Sequence, residues 1–321
     1  MDVNAVNTQL ALRKGGLGRS NRQNYADTVI FDGQQGNFVE IKGELKFFVP
    51  NQCVETRPDV TAVRSGHADI TGKARFPQKS VREIAEIASA RSSVCYVVLG
   101  AICKQILATK GVYTYHYVQR LGGIKSHAKY VFGKTDKEAH FSLLHCPSKS
   151  ATARMQQKIE EAMSHGNSLG GVVTVGATGL PMGIGEIEPY TERLDAQIAA
   201  NLVGIPSVKG ITFGLAEKLA DTDGKNAADA LTLHGGQIVY AQNKCGGIVS
   251  GISTGQDVLC HLVVKPIPTV KGVTTLDAVT KQPTPQHYER ADTCVVPNVG
   301  VIADNILAYV LVNQMQKQNL L

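Results

Sequence analysis

The chain has 321 residues, 43% of them hydrophobic and 19% charged, so it is long and apolar enough to bury the core of a globular protein. Its formal charge of +6 is scattered rather than gathered into basic blocks, which argues against nucleic acid as a partner and favours a pocket for a small multiply charged anion. The sequence has no signal-peptide core and no apolar run of transmembrane length, so we expect a cytoplasmic protein. Its seven cysteines form no CxxC pair, so we expect buried, reduced thiols and no metal site.

A helix is predicted over residues 3–14, and it ends at the glycine turn of residues 15–16. Residues 38–50 alternate as strands do, and apolar residues predict one long helix over 81–108, where Gly100 permits close packing. The remaining pattern predicts helices at 151–164, 190–203 and 301–316, and strands at 111–121, 170–181, 237–242 and 257–268. Because strands and helices do not alternate strictly, this order favours an α+β fold with antiparallel sheets, in a single domain over residues 1–321.

The first stretch with more chemistry than a fold requires is ALRKGGLGRSNRQ, residues 11–23. Arg13 and Arg19 stand on either side of glycines whose bare N–H groups are suited, together with the guanidinium groups, to hold one anion. An ordinary basic end of a surface helix is the alternative.

The second stretch combines RSGHAD, residues 64–69, with SARSS, residues 89–93. Taken alone, His67 is more often a structural histidine than a catalytic one. Arg91 lies within the predicted apolar helix, where an unpaired charge is costly. We therefore expect Arg91 to reach solvent, to pair with a carboxylate or to hold a ligand anion.

The third stretch joins NKCGGIVSGISTG (243–255), VVKPIPT (263–269) and YERADTCVVP (288–297). Lys265 ends an apolar strand before two prolines, a place suited to a lysine that reaches a phosphate and equally to an ordinary solvated lysine. Arg290 and Asp292 share a face if that segment is extended, and an exposed ion pair is the alternative there.

Together and in this order, these stretches resemble the chorismate synthases. The family strings RPGHAD, SARET and GAIAK correspond to residues 64–69, 89–93 and 100–104. Further blocks of the family resemble residues 166–186 (GNSLGGVVTVGATGLPMGIGE) and 193–210 (RLDAQIAANLVGIPSVKG), followed by NKCGGIVSGISTG, KPIPT and RADTCVVP. With the first three strings counted as one block, the resemblance spans residues 5–316 in six ordered blocks, so it is far more specific than any single motif.

The resemblance implies a fold that packs helices between antiparallel sheets, and a homotetramer. It implies a lyase of the shikimate pathway that eliminates phosphate, 1,4-anti, from 5-enolpyruvylshikimate 3-phosphate to give chorismate for aromatic amino acid biosynthesis. It also implies reduced FMN as the cofactor. Such a substrate carries a phosphate and two carboxylates, which agrees with a basic pocket rich in glycine.

The resemblance also implies roles for individual residues. His67 corresponds to a histidine that protonates the reduced flavin, and Asp292 corresponds to the carboxylate that assists proton removal. Arg13, Arg19 and Arg91 correspond to residues that bind the substrate or the phosphate of NADP. The implied flavin-binding residues are Ser89, Ser207, Ser250, Lys265, Thr269 and Arg290.

Several positions depart from the family pattern. The family's GESHG-like motif, whose histidine protonates the leaving phosphate, has no counterpart in the sequence. Ile87 and Asn298 stand where the family has arginines, and Ser250 stands where it has a glycine beside the flavin. Since a lost charge-assisted hydrogen bond costs about 1.5–3 kcal/mol, the alternative is a non-catalytic or functionally diverged relative with weakened flavin binding.

Overall fold

The computed structural model describes residues 1–19, 27–51, 59–128, 133, 142–288 and 292–321. The α-helices within these residues are α1 Val3–Lys14, α2 Asp69–Arg75, α3 Val81–Ile87, α4 Ser93–Ala108, α5 Lys149–Ser164, α6 Leu194–Val203, α7 Ala216–Leu219, α8 Gly224–Ala227 and α9 Val296–Lys317. The strands are β1 Ile30–Phe31, β2 Phe47–Phe48, β3 Tyr113–Leu121, β4 Ile124–Lys125, β5 Gly171–Thr178, β6 Val208–Phe213, β7 Leu231–His234, β8 Gln237–Tyr240, β9 Ile248–Val249, β10 Ile252–Ser253, β11 Val258–Val264, β12 Thr274–Leu276 and β13 Pro283–Pro285.

The centre of the fold is a five-stranded antiparallel sheet in the order β4-β3-β5-β11-β6. Its middle strand, β5, is buried on both faces from Val172 to Ala177. The β-branched residues of this strand suit such a packed position in a sheet. Strand β11 is paired along both of its edges, with β5 and with β6. It therefore gives a rigid support to the segment that follows it.

A layer of helices covers one face of this sheet. Helix α9 packs on β3 and β5, α4 packs on α9, and α1 packs on α4. The segment around β1 lies on the other side of α1, where Val29, Phe31 and Val39 join Val3 and Leu10 in the core. The predicted α+β class is confirmed, with helices between the main sheet and a small β1–β2 ribbon.

A buried polar network ties this helix layer to the sheet. The carboxylate of Asp304, on α9, accepts hydrogen bonds from Lys104 Nζ at 2.7 Å and from His116 Nδ1 at 2.9 Å. The other ring nitrogen of His116 lies 2.8 Å from His145 Nδ1. Burial alone would raise the pKa of Asp304, but the charge of Lys104 and the bond from His116 lower it below its ordinary value. A fully buried carboxylate is tolerated here because it is paired.

The predicted helix over 81–108 is wrong in its middle. Helix α3 ends at Ile87, and Ser89 is extended, with its hydroxyl accepting the backbone N–H of Arg91 at 3.3 Å. A serine that accepts such a bond starts a new helix, so a short 3₁₀ helix, Ala90–Ser92, precedes α4. Arg91 consequently lies in this exposed turn and not within an apolar helix.

Residues 38–50 alternate as strands do, but only β2 forms there, and it pairs with β1. Val39 N–H instead donates to the carbonyl of Met1 at 3.1 Å and ties the start of this segment to the start of the chain. The sequence did not predict strands β1, β4, β6, β7, β9, β10, β12 and β13 or the short helices α2, α7 and α8. The predictions of α1, β3, α5, β5, α6, β8, β11 and α9 are confirmed to within a few residues at their ends.

We predicted that no apolar run reaches transmembrane length, and this is wrong. Two helical stretches among the described residues are long and apolar enough to span a membrane, judged by length and composition alone. Both Val81–Ala108 and Val296–Lys317 have windows of mean hydropathy 1.3. The second is the central core helix, with 89% of its window buried, and the first is the stretch that Ser89 divides. The expectation of buried thiols also fails at Cys95, which is exposed on α4.

The crossing of α4 and α9 depends on a glycine, which generates a first prediction. A Cβ atom at Gly100 would overlap the backbone carbonyl of Asn305, so Gly100→Ala forces the two helices apart. We expect this substitution to lower the free energy of unfolding by about 1–3 kcal/mol, the usual cost of overpacking, measured by urea denaturation. Gly224→Ala, on α8, meets open space and serves as the control. Equal stability of the two variants would contradict the close crossing.

Candidate active site

The loop of residues 64–69 holds a buried carboxylate between an arginine and a histidine. Asp69 begins α2 and is fully buried, while His67 keeps about a fifth of its side chain exposed. The carboxylate accepts two bonds from the Arg64 guanidinium, at 2.9 and 3.0 Å, and lies 2.6 Å from His67 Nδ1. Burial would raise the pKa of Asp69, but the bonds from His67 and Arg64 lower it below its ordinary range. The site therefore contains an ionised Asp69 against the imidazole.

The segment after β11 is fastened to this loop. Lys265 Nζ donates a hydrogen bond to the carbonyl of Gly66 at 2.6 Å, and Pro268 lies against the same glycine. Gln286 bridges the two segments, because it accepts the N–H of Ser65 at 3.1 Å and donates to the carbonyl of Pro268 at 2.7 Å. Ser65 and Gly66, which precede His67, are thereby held against the segment around Lys265, although the two segments are distant in the chain.

Three of the predicted flavin-binding residues lie in this region. Lys265 uses one of its three N–H donors on Gly66, and the other two bond no described residue. Thr269 follows Pro268 and is buried, and the carbonyl of Ser207 accepts the backbone N–H of Lys265 at 2.8 Å. Ser207 has a φ of 74°, in the left-handed region, which places it at the sharp turn between α6 and β6. The structure brings Ser207, Lys265 and Thr269 to the loop that carries His67.

Arg13 lies beside residues 89–93. Its guanidinium donates to Ser93 Oγ at 3.0 Å, to the carbonyl of Ala90 at 3.2 Å and to Asp27 at 3.1 Å. Burial lowers the pKa of Arg13, the charge of Asp27 opposes this effect, and the charges of Arg19 and Arg91 add to it. Most of the Arg13 donors are thus occupied by the protein. Arg91 is exposed and makes no ion pair among the described residues, so its guanidinium is open to a ligand.

Arg19 and Asp292 form a second ion pair, with Nη1 and Oδ2 2.6 Å apart and both side chains largely buried. This pair is joined to the lysine segment through residues 166–170. Leu169 N–H donates to the carbonyl of Thr293 at 2.9 Å, and the hydroxyl of the preceding Ser168 donates to the carbonyl of Ile267 at 2.6 Å. Asp292 and Lys265 therefore flank one short connecting segment.

Asn298 performs a structural role that the sequence did not indicate. Its side-chain amide donates to the carbonyls of Arg13 and Gly15, both at 2.7 Å, and so closes the C-terminal end of α1. The amide oxygen is buried and has no hydrogen-bond partner among the described residues. Asn298 holds the basic loop in place without supplying charge to it.

The structure does not bring the predicted residue Ser250 into this cluster. Ser250 is exposed at the tip of the β9–β10 hairpin, which packs through Gly251 on the N-terminal end of α6, while Ser207 follows the C-terminal end. Ten helical residues separate those ends by about 15 Å. Arg290 lies outside the described residues.

Sequence reasoning missed several residues that shape the site. Arg64 and Asp69 had a signal, because opposite charges flank His67 in RSGHAD. Gln286 and Ser168 had none, since neutral polar residues of this kind are common in loops. Their partners lie 221 and 99 positions away in the chain. Only the fold reveals what they hold.

The comparisons with known proteins agree along the whole chain. The sequence profile of the chorismate synthase family matches residues 1–316. The chorismate synthase of Carboxydothermus hydrogenoformans is 32% identical over 97% of this chain and 85% of its own, and that of Caldicellulosiruptor bescii is 32% identical over 98% and 87%. A crystal structure of chorismate synthase superposes with a TM-score of 0.78 at 25% identity, covering 99% of this chain and 84% of that one. This chain belongs to the chorismate synthase family.

Proposed function

We propose that this chain eliminates phosphate, 1,4-anti, from 5-enolpyruvylshikimate 3-phosphate to give chorismate, with reduced FMN as its cofactor. The observation that carries the proposal is the contact of Lys265 Nζ with the carbonyl of Gly66, next to His67. Two residues that the family resemblance assigns to flavin chemistry, 198 positions apart by their numbers, meet at one place.

The residues in this region fit a phosphate-bearing flavin. Lys265 has two N–H donors that bond no other described residue, Thr269 adds a hydroxyl, and Gly66, at φ 81°, gives the loop a left-handed turn beside the lysine. Lys265, Thr269 and Ser207 would hold the flavin, together with Ser89, which the family resemblance alone assigns to it. When bound, reduced FMN supplies electron density that helps to expel phosphate.

The chain's own residues would bind the substrate and manage its protons. Arg91 has an open guanidinium suited to the substrate's phosphate or carboxylates, and such a charge stabilises the departing phosphate. Arg13 would act by holding residues 89–93, and Arg19 by fixing the carboxylate of Asp292. His67 would hold a proton on its ring, and Asp292 would assist removal of the substrate proton. The reaction loses one proton and one phosphate and involves no net oxidation.

A diverged, non-catalytic relative with weakened flavin binding is the second candidate. Asn298 is the observation that favours it, because a buried amide bonded to two carbonyls replaces a cation at the basic loop. The separation of Ser250 from the Lys265 region, along the length of α6, is consistent with this candidate as well.

The proposal includes a single domain over residues 1–321 and a cytoplasmic homotetramer. The β7–β8 ribbon supports the association of subunits. Leu231, Leu233 and Ile238 are 60–71% exposed on this two-stranded ribbon, and Leu233 pairs directly with Ile238. Isolated ribbons are marginally stable, and exposed apolar patches of this kind mark contact surfaces.

The activity is tested by mixing the purified chain with reduced FMN and 5-enolpyruvylshikimate 3-phosphate without oxygen. We expect equal amounts of phosphate and chorismate, followed by phosphate assay and by the ultraviolet absorbance of chorismate. His67→Ala should lower kcat by about 10²–10⁴, the usual contribution of a positioned proton donor. Binding of FMN without chorismate formation would favour the diverged relative, and failure to bind FMN at micromolar concentration would contradict the proposal.

The role of Lys265 is tested by FMN titration, followed by isothermal calorimetry. We expect Lys265→Met to raise the Kd for FMN about 10–150-fold, because a charge-assisted hydrogen bond is worth about 1.5–3 kcal/mol. Lys209→Met is the matched control, since Lys209 is an exposed lysine of β6 close to Ser207 and makes no ion pair among the described residues. If both variants bind FMN like the wild type, Lys265 does not hold the flavin.

A further inference from the structure

The hydrogen bonds around His67 determine where its proton must lie. Asp69 Oδ1 is 2.6 Å from His67 Nδ1, and the carboxylate is ionised because its pKa is lowered by the His67 and Arg64 bonds. An ionised carboxylate can only accept, so at this distance Nδ1 must carry a hydrogen. A neutral His67 therefore has its proton on Nδ1 and a bare Nε2.

Arg64 fixes the carboxylate and does not compete for the imidazole. Its Nη2 lies 3.0 Å from His67 Nδ1, but a guanidinium only donates and a protonated Nδ1 cannot accept. The Arg64 bonds go to Asp69 instead, from Nε and the backbone N–H to Oδ2 and from Nη2 to Oδ1. With the bond from His67, four donors surround a fully buried carboxylate, which leaves it no freedom to rotate.

The backbone of the loop is held as firmly as the ring. Lys265 occupies the carbonyl of Gly66, and Gln286 occupies the N–H of Ser65. The N–H of His67 itself donates to the carbonyl of Arg64 at 3.2 Å and closes the turn. A proton-transferring side chain needs this degree of positioning by the residues behind it.

We propose that Asp69 and Arg64 are positioning residues that hold His67 as its Nδ1–H tautomer, so that Nε2 is the nitrogen through which His67 exchanges protons with bound ligands. The proposal rests on the function given above and deepens it. Among the described residues, the charged groups at His67 are Arg64 and Asp69 on its own loop, and Lys265, from the end of β11, bonds the neighbouring Gly66. Arg82 and His287 line a small cleft on the side of Arg64.

The tautomer is measured directly in the wild-type chain, without flavin or substrate, from the two-bond ¹H–¹⁵N spectrum of ¹⁵N-histidine-labelled protein. The chain has nine histidines, and the spectrum of His67→Gln identifies the signals of His67. In the neutral form of His67 we expect a protonated Nδ1 and a bare Nε2. A neutral His67 that carries its proton on Nε2 in the wild type would overturn the proposal, whatever the behaviour of any variant.

Asp69→Asn supplies the second measurement. An asparagine can turn its amide nitrogen toward Nδ1, which would move the proton of His67 to Nε2. We expect that shift in the spectrum, together with a fall in kcat of about 10²–10⁴. Asp277→Asn is the control, since Asp277 is a carboxylate of the neighbouring 274–285 hairpin that bonds Thr61 and the N–H groups of its own turn. Asp277→Asn should leave the tautomer and kcat unchanged.

The two proposals fail in different ways. A wild-type chain with the Nδ1–H tautomer that makes no chorismate would contradict the proposed function and leave the positioning role standing. An active wild-type chain whose His67 tautomer is the same in Asp69→Asn would overturn the positioning role alone. If Asp69→Asn does not fold, the wild-type spectrum decides the proposal by itself.

Discussion

The site depends on one tertiary contact, between the loop of residues 64–69 and the segment that follows β11. Lys265 Nζ and the carbonyl of Gly66 are 2.6 Å apart, and they belong to residues 199 positions apart in the chain. Gln286 makes the same junction a second time through Ser65 and Pro268. Because β11 is bonded along both edges, the junction transfers the rigidity of the central sheet to the histidine loop.

The cations of the site divide into those that hold the protein and those that remain for a ligand. Arg13, Arg19 and Arg64 are bonded to Asp27, Asp292 and Asp69 respectively. Buried charges that are paired in this way are tolerated. They hold the protein segments in place, and their charge is largely neutralised for an incoming anion. Arg91 is exposed, and Lys265 spends one donor on a carbonyl. Among the described residues named here, the charge open to a phosphate therefore comes chiefly from these two.

This division explains how a chain can keep the fold of its family while individual site positions change. Asn298 still secures the basic loop, through two hydrogen bonds from its amide, where the resemblance implied an arginine. The two hydrogen bonds cap the C-terminal end of α1, but the amide brings no positive charge to the loop. At this position, hydrogen bonding that supports the fold and the charge that the proposed cofactor would need are therefore separate properties.

The sequence was sufficient for elements whose pattern is local. Helix α1 was predicted at its observed bounds, because its cap at Asp2 and the glycines after Lys14 lie next to the apolar pattern. The helix over 81–108 was wrong because the hydroxyl of Ser89 competes for the backbone, and hydropathy does not register that competition. The ordered motifs identified His67 and Lys265. The two segments are joined, however, by bonds of Gly66 and Gln286, and the partners of those residues are set by tertiary structure.

The most direct test of this account is a crystal structure of the chain with FMN bound. The account predicts the flavin phosphate within hydrogen-bond distance of Lys265 and the ring system beside His67, with Asp69 still bonded to Nδ1. Flavin bound away from the junction of residues 64–69 with Lys265, or a His67 ring turned away from it, would contradict the account.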